Sequence, residues 1–116
     1  MNGRMLTRRV RDRDITLTIR WLGRDCLVEI SGGDAPHIGA AAVADAAGGR
    51  CLVRPGHREG ELALSVAERA AAVLECCVCV VCGIHYEAVT RPEIEAVLDA
   101  VRDMTDTWLG TGSGRA

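Results

Sequence analysis

The hydrophobic period of this chain changes near Pro55-Gly56, from two residues to 3.6, and no other feature restricts the fold so much. Before that point Ile15, Leu17, Ile19 and Trp21 alternate with Thr16, Thr18 and Arg20, which predicts a half-buried strand. Gly23-Arg24-Asp25 predicts a hairpin turn into a second strand, Cys26-Leu27-Val28-Glu29-Ile30. So short a connection makes the pair antiparallel. Ser31-Gly32-Gly33-Asp34-Ala35-Pro36 closes that strand. His37 to Ala47, rich in alanine around Val43, reads as a strand whose small side chains admit a close neighbour, with a helix as the competing reading. Gly48-Gly49 predicts the next turn, and Arg50 to Arg54 a fourth short strand.

After the change, Leu62, Val66, Ala70 and Val73 share one face from Arg58 onward, with Glu59, Glu61, Glu68 and Arg69 mostly opposite. This predicts an amphipathic helix. Cys76 to Cys82 is a continuous apolar run, too short to span a membrane and rich in valine, and reads as a buried central strand ended by Gly83. Thr90-Arg91-Pro92-Glu93 has capping-box spacing with proline in the first turn, so a second helix starts there. Its apolar stripe is Ile94, Val97, Leu98, Val101, Met104 and Trp108. The fold class expected is α/β (α+β): a mixed, largely antiparallel sheet with two helices packed on it. The fourth strand, first helix and buried strand are expected to form a right-handed crossover. Length suits one domain, 13–109, with a charged arm at 1–12 and a Gly/Ser/Thr-rich tail at 110–116.

Charge and composition remove several function classes. Fourteen basic residues against sixteen acidic ones give a net charge of -2, so bulk attraction to nucleic acid or an anionic membrane is not expected. All the basic residues are arginine, which removes Schiff-base lysine chemistry and the P-loop lysine. Trp21, Tyr86 and Trp108 are too few to stack a single strand. The polar N-terminus lacks the apolar segment of a secretory signal, so the protein reads as cytoplasmic and its six cysteines as free thiols. Cys76, Cys79 and Cys82 have CxxC spacing, but on a strand residues three apart face opposite ways and do not converge on one metal.

The three histidines each stand where a strand meets a connection: His37 after Gly32-Gly33-Asp34-Ala35-Pro36, His57 after Pro55-Gly56, and His85 after Gly83-Ile84. Strand-end loops are where sites are built. The double glycine admits backbone N–H groups to a ligand, and Pro55-Gly56-His57-Arg58 opens the first helix, whose N-terminal amides suit a phosphate with Arg58 adding charge. No GxSxG elbow or HExxH pair is present, so the pattern favours binding over catalysis.

Three ordered segments carry a family likeness. Gly32-Gly33-Asp34-Ala35-Pro36-His37-Ile38-Gly39-Ala40, then Pro55-Gly56-His57-Arg58-Glu59-Gly60-Glu61-Leu62-Ala63, then Val80-Val81-Cys82-Gly83-Ile84-His85-Tyr86-Glu87-Ala88-Val89-Thr90 resemble the LpdD-like prenylated flavin chaperones. The likeness runs from about Ile15 to Val101. It implies a proteasome-assembly-chaperone-like fold that binds prenylated FMN and serves a UbiD-type decarboxylase, with a UbiX-type prenyltransferase as the maker of the cofactor and a homodimer or higher homo-oligomer as the working form. Carried over by motif and by the reading of the helix start, the cofactor-binding residues are Gly32, Gly33, Asp34, His37, Gly56, His57, Arg58, Gly83, Ile84 and His85. The phosphate is expected at the amides near Gly56 and His57, with His37 and His85 against the ring system. The chain departs from the family pattern at Tyr86-Glu87-Ala88-Val89 and in the short stretch between His37 and Arg50. Two other readings remain. One is a metal-dependent hydrolase or lyase with His37, His57 and His85 as ligands and Asp34 or Glu87 activating water. The other is a clamp subunit that holds a partner through Tyr86 or Trp108.

Overall fold

A computed structural model describes residues 3–110. The elements in chain order are β1 (Gly3–Val10), β2 (Arg13–Leu22), β3 (Asp25–Gly33), β4 (Ala40–Asp45), β5 (Gly48–Val53), α1 (Gly60–Leu74), β6 (Val78–His85) and α2 (Arg91–Leu109). They build a six-stranded sheet in the order β1-β2-β3-β6-β4-β5. Every pairing is antiparallel except that of β3 with β6. The mixed sheet carrying two helices is therefore as the sequence predicts.

Period-two alternation decides which face is dry. Ile15, Leu17 and Ile19 of β2, Cys26, Val28 and Ile30 of β3, and Val78, Val80 and Cys82 of β6 are all buried. In each strand every second residue points at the helices. On β4 the inward residues are Ala40, Ala42 and Ala44, and α1 meets them with Ala63, Ala67, Ala70 and Ala71. Small side chains on both surfaces let this helix sit close to the sheet. The second helix covers β1 and β2 with Val97, Val101, Met104 and Leu109, and an Arg69–Asp106 ion pair ties it to α1. Its N-terminus has the predicted capping box: Thr90 accepts from the Glu93 N–H, and the Glu93 carboxylate accepts from the Thr90 N–H at 2.8 Å.

Two expectations are corrected. Within the segment expected to be an arm, Gly3–Val10 pairs along its whole length with β2 as an edge strand. The ladder satisfies the backbone groups that face β2, and Arg8 is anchored to Asp103 on α2 at 2.7 Å, so the strand needs little apolar patterning to stay in place. Gly48-Gly49 is not the turn: the hairpin reverses at Ala46-Ala47, where Asp45 accepts the Ala47 N–H at 2.8 Å, and both glycines belong to β5. Gly49 is small because α1 passes over it, leaving a side chain no room against Leu64 and Glu68. The expected crossover through α1 runs from β5 to β6, which lie parallel in the sheet with β4 between them. The tail expectation concerns residues 110–116, of which Gly110 is described as the C-cap of α2 and the rest lie outside the described residues.

Candidate functional site

The C-terminal end of β6 gathers the three histidine loops. Asp34 and Ala35 donate backbone N–H groups to the His85 carbonyl, while Gly39 donates to the Cys82 carbonyl at 2.9 Å and His37 to that of Gly83 at 3.4 Å. A side chain at Gly83 would land on the His37 carbonyl oxygen, and one at Gly33 on that of His85. Only hydrogen in place of a Cβ permits backbones to approach this closely. The second loop is fixed by a type II turn, with Pro55 ahead of Gly56 at φ 78° and the His57 N–H bonded to the Arg54 carbonyl at 3.0 Å. This turn brings the His57 ring to 5.0 Å from that of His37.

Between these loops and the N-terminal half of α2 lies a cleft of about 480 Å³. His37, Gly56, His57, Arg58, Glu59 and His85 make its polar end, and Leu62, Ile84, Val89, Ile94, Val97 and Leu98 its apolar wall. Val89, Ile94 and Leu98 stay 37–44% exposed, although α2 has a core to bury them in. At the base, His37 Nε2 stands 3.0 Å from the Glu59 carboxylate, which also accepts the Arg58 N–H at 3.1 Å and the Ile84 N–H at 3.3 Å. His85 Nε2 meets Glu87 at 2.6 Å. His37 Nδ1 and His57 Nδ1 each bond to a carbonyl two residues earlier, which fixes both rings.

Six of the ten residues expected to hold a cofactor line this cleft: His37, Gly56, His57, Arg58, Ile84 and His85. Gly32, Gly33, Asp34 and Gly83 do not; they form its backing. Asp34 accepts from Arg11 at 2.9 Å, Arg13 at 3.1 Å and the Glu87 N–H at 2.9 Å, and that backbone bond together with the two guanidinium groups holds its carboxyl below the usual range. Gly32 faces the backbone of Asp14 and Ile15. The helix start also differs from expectation. Glu59, not His57, stands at the N-cap of α1, and it makes no side-chain cap bond there. Its carboxylate brings negative charge to the end that was expected to hold an anion by amides and Arg58. The sequence reading did not find Glu59, Leu62 or Val89 as lining residues; Ile94, Val97 and Leu98 were read as core because their helical spacing is the same in either role.

The metal-ligand reading finds no support in this geometry. Among the described residues, no three His, Cys, Asp or Glu groups are arranged to hold a metal ion. His37 Nε2 and His85 Nε2 each face a different carboxylate instead of a common point. The Tyr86 ring is 5% exposed with its hydroxyl donating to the Val10 carbonyl at 2.9 Å, so it is a structural pin and not a contact for a partner. Trp108 packs half-buried against the core. All six cysteines are free; burial pushes the Cys82 thiol up to about 12 and Cys26 to about 11.

A two-layer α/β domain with an amphipathic cleft at the end of its central strand is a small-ligand-binding architecture. The sequence profile of the prenylated flavin chaperone LpdD-like domain matches residues 9–111, and the chain belongs to that family. In fold it is similar to a chain in a crystal structure titled as a novel chaperone complex for yeast 20S proteasome assembly, with a TM-score of 0.55, 12% identity, and coverage of 95% of this chain and 100% of that one. No curated protein matches. Among the described residues, no helix is long and apolar enough to cross a membrane.

Proposed function

We propose that this protein binds prenylated FMN in the cleft and passes it to a UbiD-type decarboxylase, acting in the cytoplasm as a carrier and not as the catalyst. The observation that carries the reading is the convergence of the His37, His57 and His85 loops on one cleft divided into a polar end and an apolar wall. Its volume of about 480 Å³ is in the range of pockets that enclose cofactor-sized molecules. Arg58, His57 and the first-turn amides of α1 would take the phosphate, and the Glu59 carboxylate would keep it away from His37. Leu62, Val97 and Leu98 would face the ring system and its prenyl-derived portion, with His85 closing the mouth. Six unpaired thiols accord with a reducing compartment. A UbiX-type prenyltransferase would supply the ligand.

Titration of the purified protein with oxidised prenylated FMN, followed by absorbance and native mass spectrometry, tests the reading. One ligand per chain is expected, and Arg58→Ala and Leu98→Asp should each weaken binding by about tenfold or more, the loss of about 1.4 kcal/mol. An absence of binding to the wild-type protein refutes it.

A further inference from the structure

The three imidazoles at the polar end of the cleft hold their protons under different constraints. His37 Nδ1 lies 2.9 Å from the Ala35 carbonyl oxygen and Nε2 lies 3.0 Å from the Glu59 carboxylate. Both neighbours are acceptors, so the carbonyl fixes a hydrogen on Nδ1, and the second contact needs another, held by the ring or by Glu59. Either way the pair is neutral. His85 Nε2 meets Glu87 at 2.6 Å, and these side chains are 50% and 76% exposed, so water screens the charge they carry. His57 differs from both. Its Nδ1 bonds to the Pro55 carbonyl at 3.0 Å. Among the described residues, neither the His57 ring nor the Arg58 guanidinium has a carboxylate partner.

We infer that His57 is the residue through which the cleft selects a phosphate dianion, by taking up one proton together with it. The inference rests on the reading that the polar end holds the phosphate, and adds how that end recognises it. With Nδ1 committed to a carbonyl, the neutral ring offers only a lone pair at Nε2, which repels a phosphate oxygen. Protonated, the same atom becomes a charged donor beside Arg58. The charge count agrees. A phosphate monoester carries close to two negative charges above pH ~7. Arg58 supplies one positive charge and the His37–Glu59 pair none, so the second falls to His57. Other groups facing this end do not compete for that proton near neutrality. Arginine stays charged, and α2 lends only Ile94, Val97 and Leu98. Burial pushes the Tyr86 hydroxyl above its ordinary range and the Cys82 thiol, which faces Glu59, up to about 12. That leaves the screened His85–Glu87 pair as the alternative proton acceptor, and a variant separates the two.

Calorimetric titration with oxidised prenylated FMN between about pH 7 and about pH 9 reads the outcome, a window in which imidazole loses its charge and the phosphate does not gain any. The wild-type Kd should rise about tenfold per pH unit, the slope of one linked proton. His57→Gln keeps a donor that does not titrate, so its profile should be flat and its binding about tenfold weaker at the low end of the range. His57→Arg carries a fixed charge and should bind more tightly than the wild type at the high end. His85→Gln should keep the wild-type slope, whatever its affinity. Thermal melting of each variant separates lost recognition from lost folding. A flat profile in a wild type that binds the ligand overturns the inference, as does a slope that survives in folded His57→Gln, and both leave the proposed function standing. Prenylated FMN that binds at no pH refutes the proposed function instead. The same series with riboflavin 5′-phosphate then decides the inference by itself, and an absence of binding there overturns it too.

Discussion

Replacing Gly83 by alanine tests the central claim about the site, that its loops are held by direct backbone contact with the end of β6. The added methyl group would occupy the position of the His37 carbonyl oxygen and crowd the Ile38 nitrogen. Neither obstacle is the tip of a flexible side chain, so the segment between β3 and β4 must lift. Lifting breaks the bonds from the His37 N–H to Gly83 and from the Gly39 N–H to Cys82. Each is worth about 1 kcal/mol, and the accompanying loss of packing adds a similar amount, so the total is about 2–4 kcal/mol. For a domain of this size, that is a fall in melting temperature of about 8–16 °C. Differential scanning calorimetry measures it. Gly23→Ala is the control: no atom lies within 4 Å of its Cβ position, and its φ of 63° charges only the left-handed backbone penalty, about 1 kcal/mol. A Gly83→Ala melting temperature within ~2 °C of wild type, or no lower than that of Gly23→Ala, would refute the argument.

Acid titration gives a second test. The Asp34 carboxyl titrates below its ordinary value in the folded chain, so its stabilisation is complete above the unfolded value and is lost as pH falls through the folded one. Asp34→Asn should flatten the dependence of the urea midpoint on pH below ~4 and lower the midpoint at neutral pH. Thr90→Ala removes the capping box and should cost about 1 kcal/mol, read as a shift of the chemical denaturation midpoint with unchanged slope. Cys26 and Cys82, whose thiols burial holds at about 11 and about 12, should resist alkylation at pH 8 in the native state. Mass spectrometry should find label first on the half-buried Cys51, Cys76, Cys77 and Cys79, and early label on Cys82 would contradict its placement.

Strands and helices whose burial depends on one face were legible in the chain. The alternation through Ile15, Leu17 and Ile19 and the capping box at Thr90 each name a local physical requirement that the fold does not override. The edge strand was not legible, because its inward side carries Arg8 between Leu6 and Val10 and its order comes from pairing with β2. The hairpin at Ala46-Ala47 was hidden for a related reason: Gly49 answers to the passage of α1, and a turn signal and a packing signal look alike in sequence. At the site, the motifs located the right loops but not the division of labour within them. Gly33 and Gly83 are required by contacts between backbones distant in sequence, whereas the histidines reach the cleft. The apolar wall on α2 could not be told from core, since Ile94 and Leu98 differ from Val101 and Met104 only in what lies opposite them.

The place of β6 between β3 and β4 also governs the order in which the chain can assemble. Until residues 78–85 have been synthesised, the protein consists of a three-strand meander and a separate two-strand hairpin on which α1 packs. Each has a bare inner edge, and nothing joins them but the loop from Asp34 to Gly39. The keystone strand arrives late and must enter between two partners at once, a pairing distant in sequence on the β3 side. Chains that stall before it present two unpaired edges to their neighbours, which makes aggregation of truncated products, and rescue by supplying the missing strand in trans, the expected behaviour during synthesis.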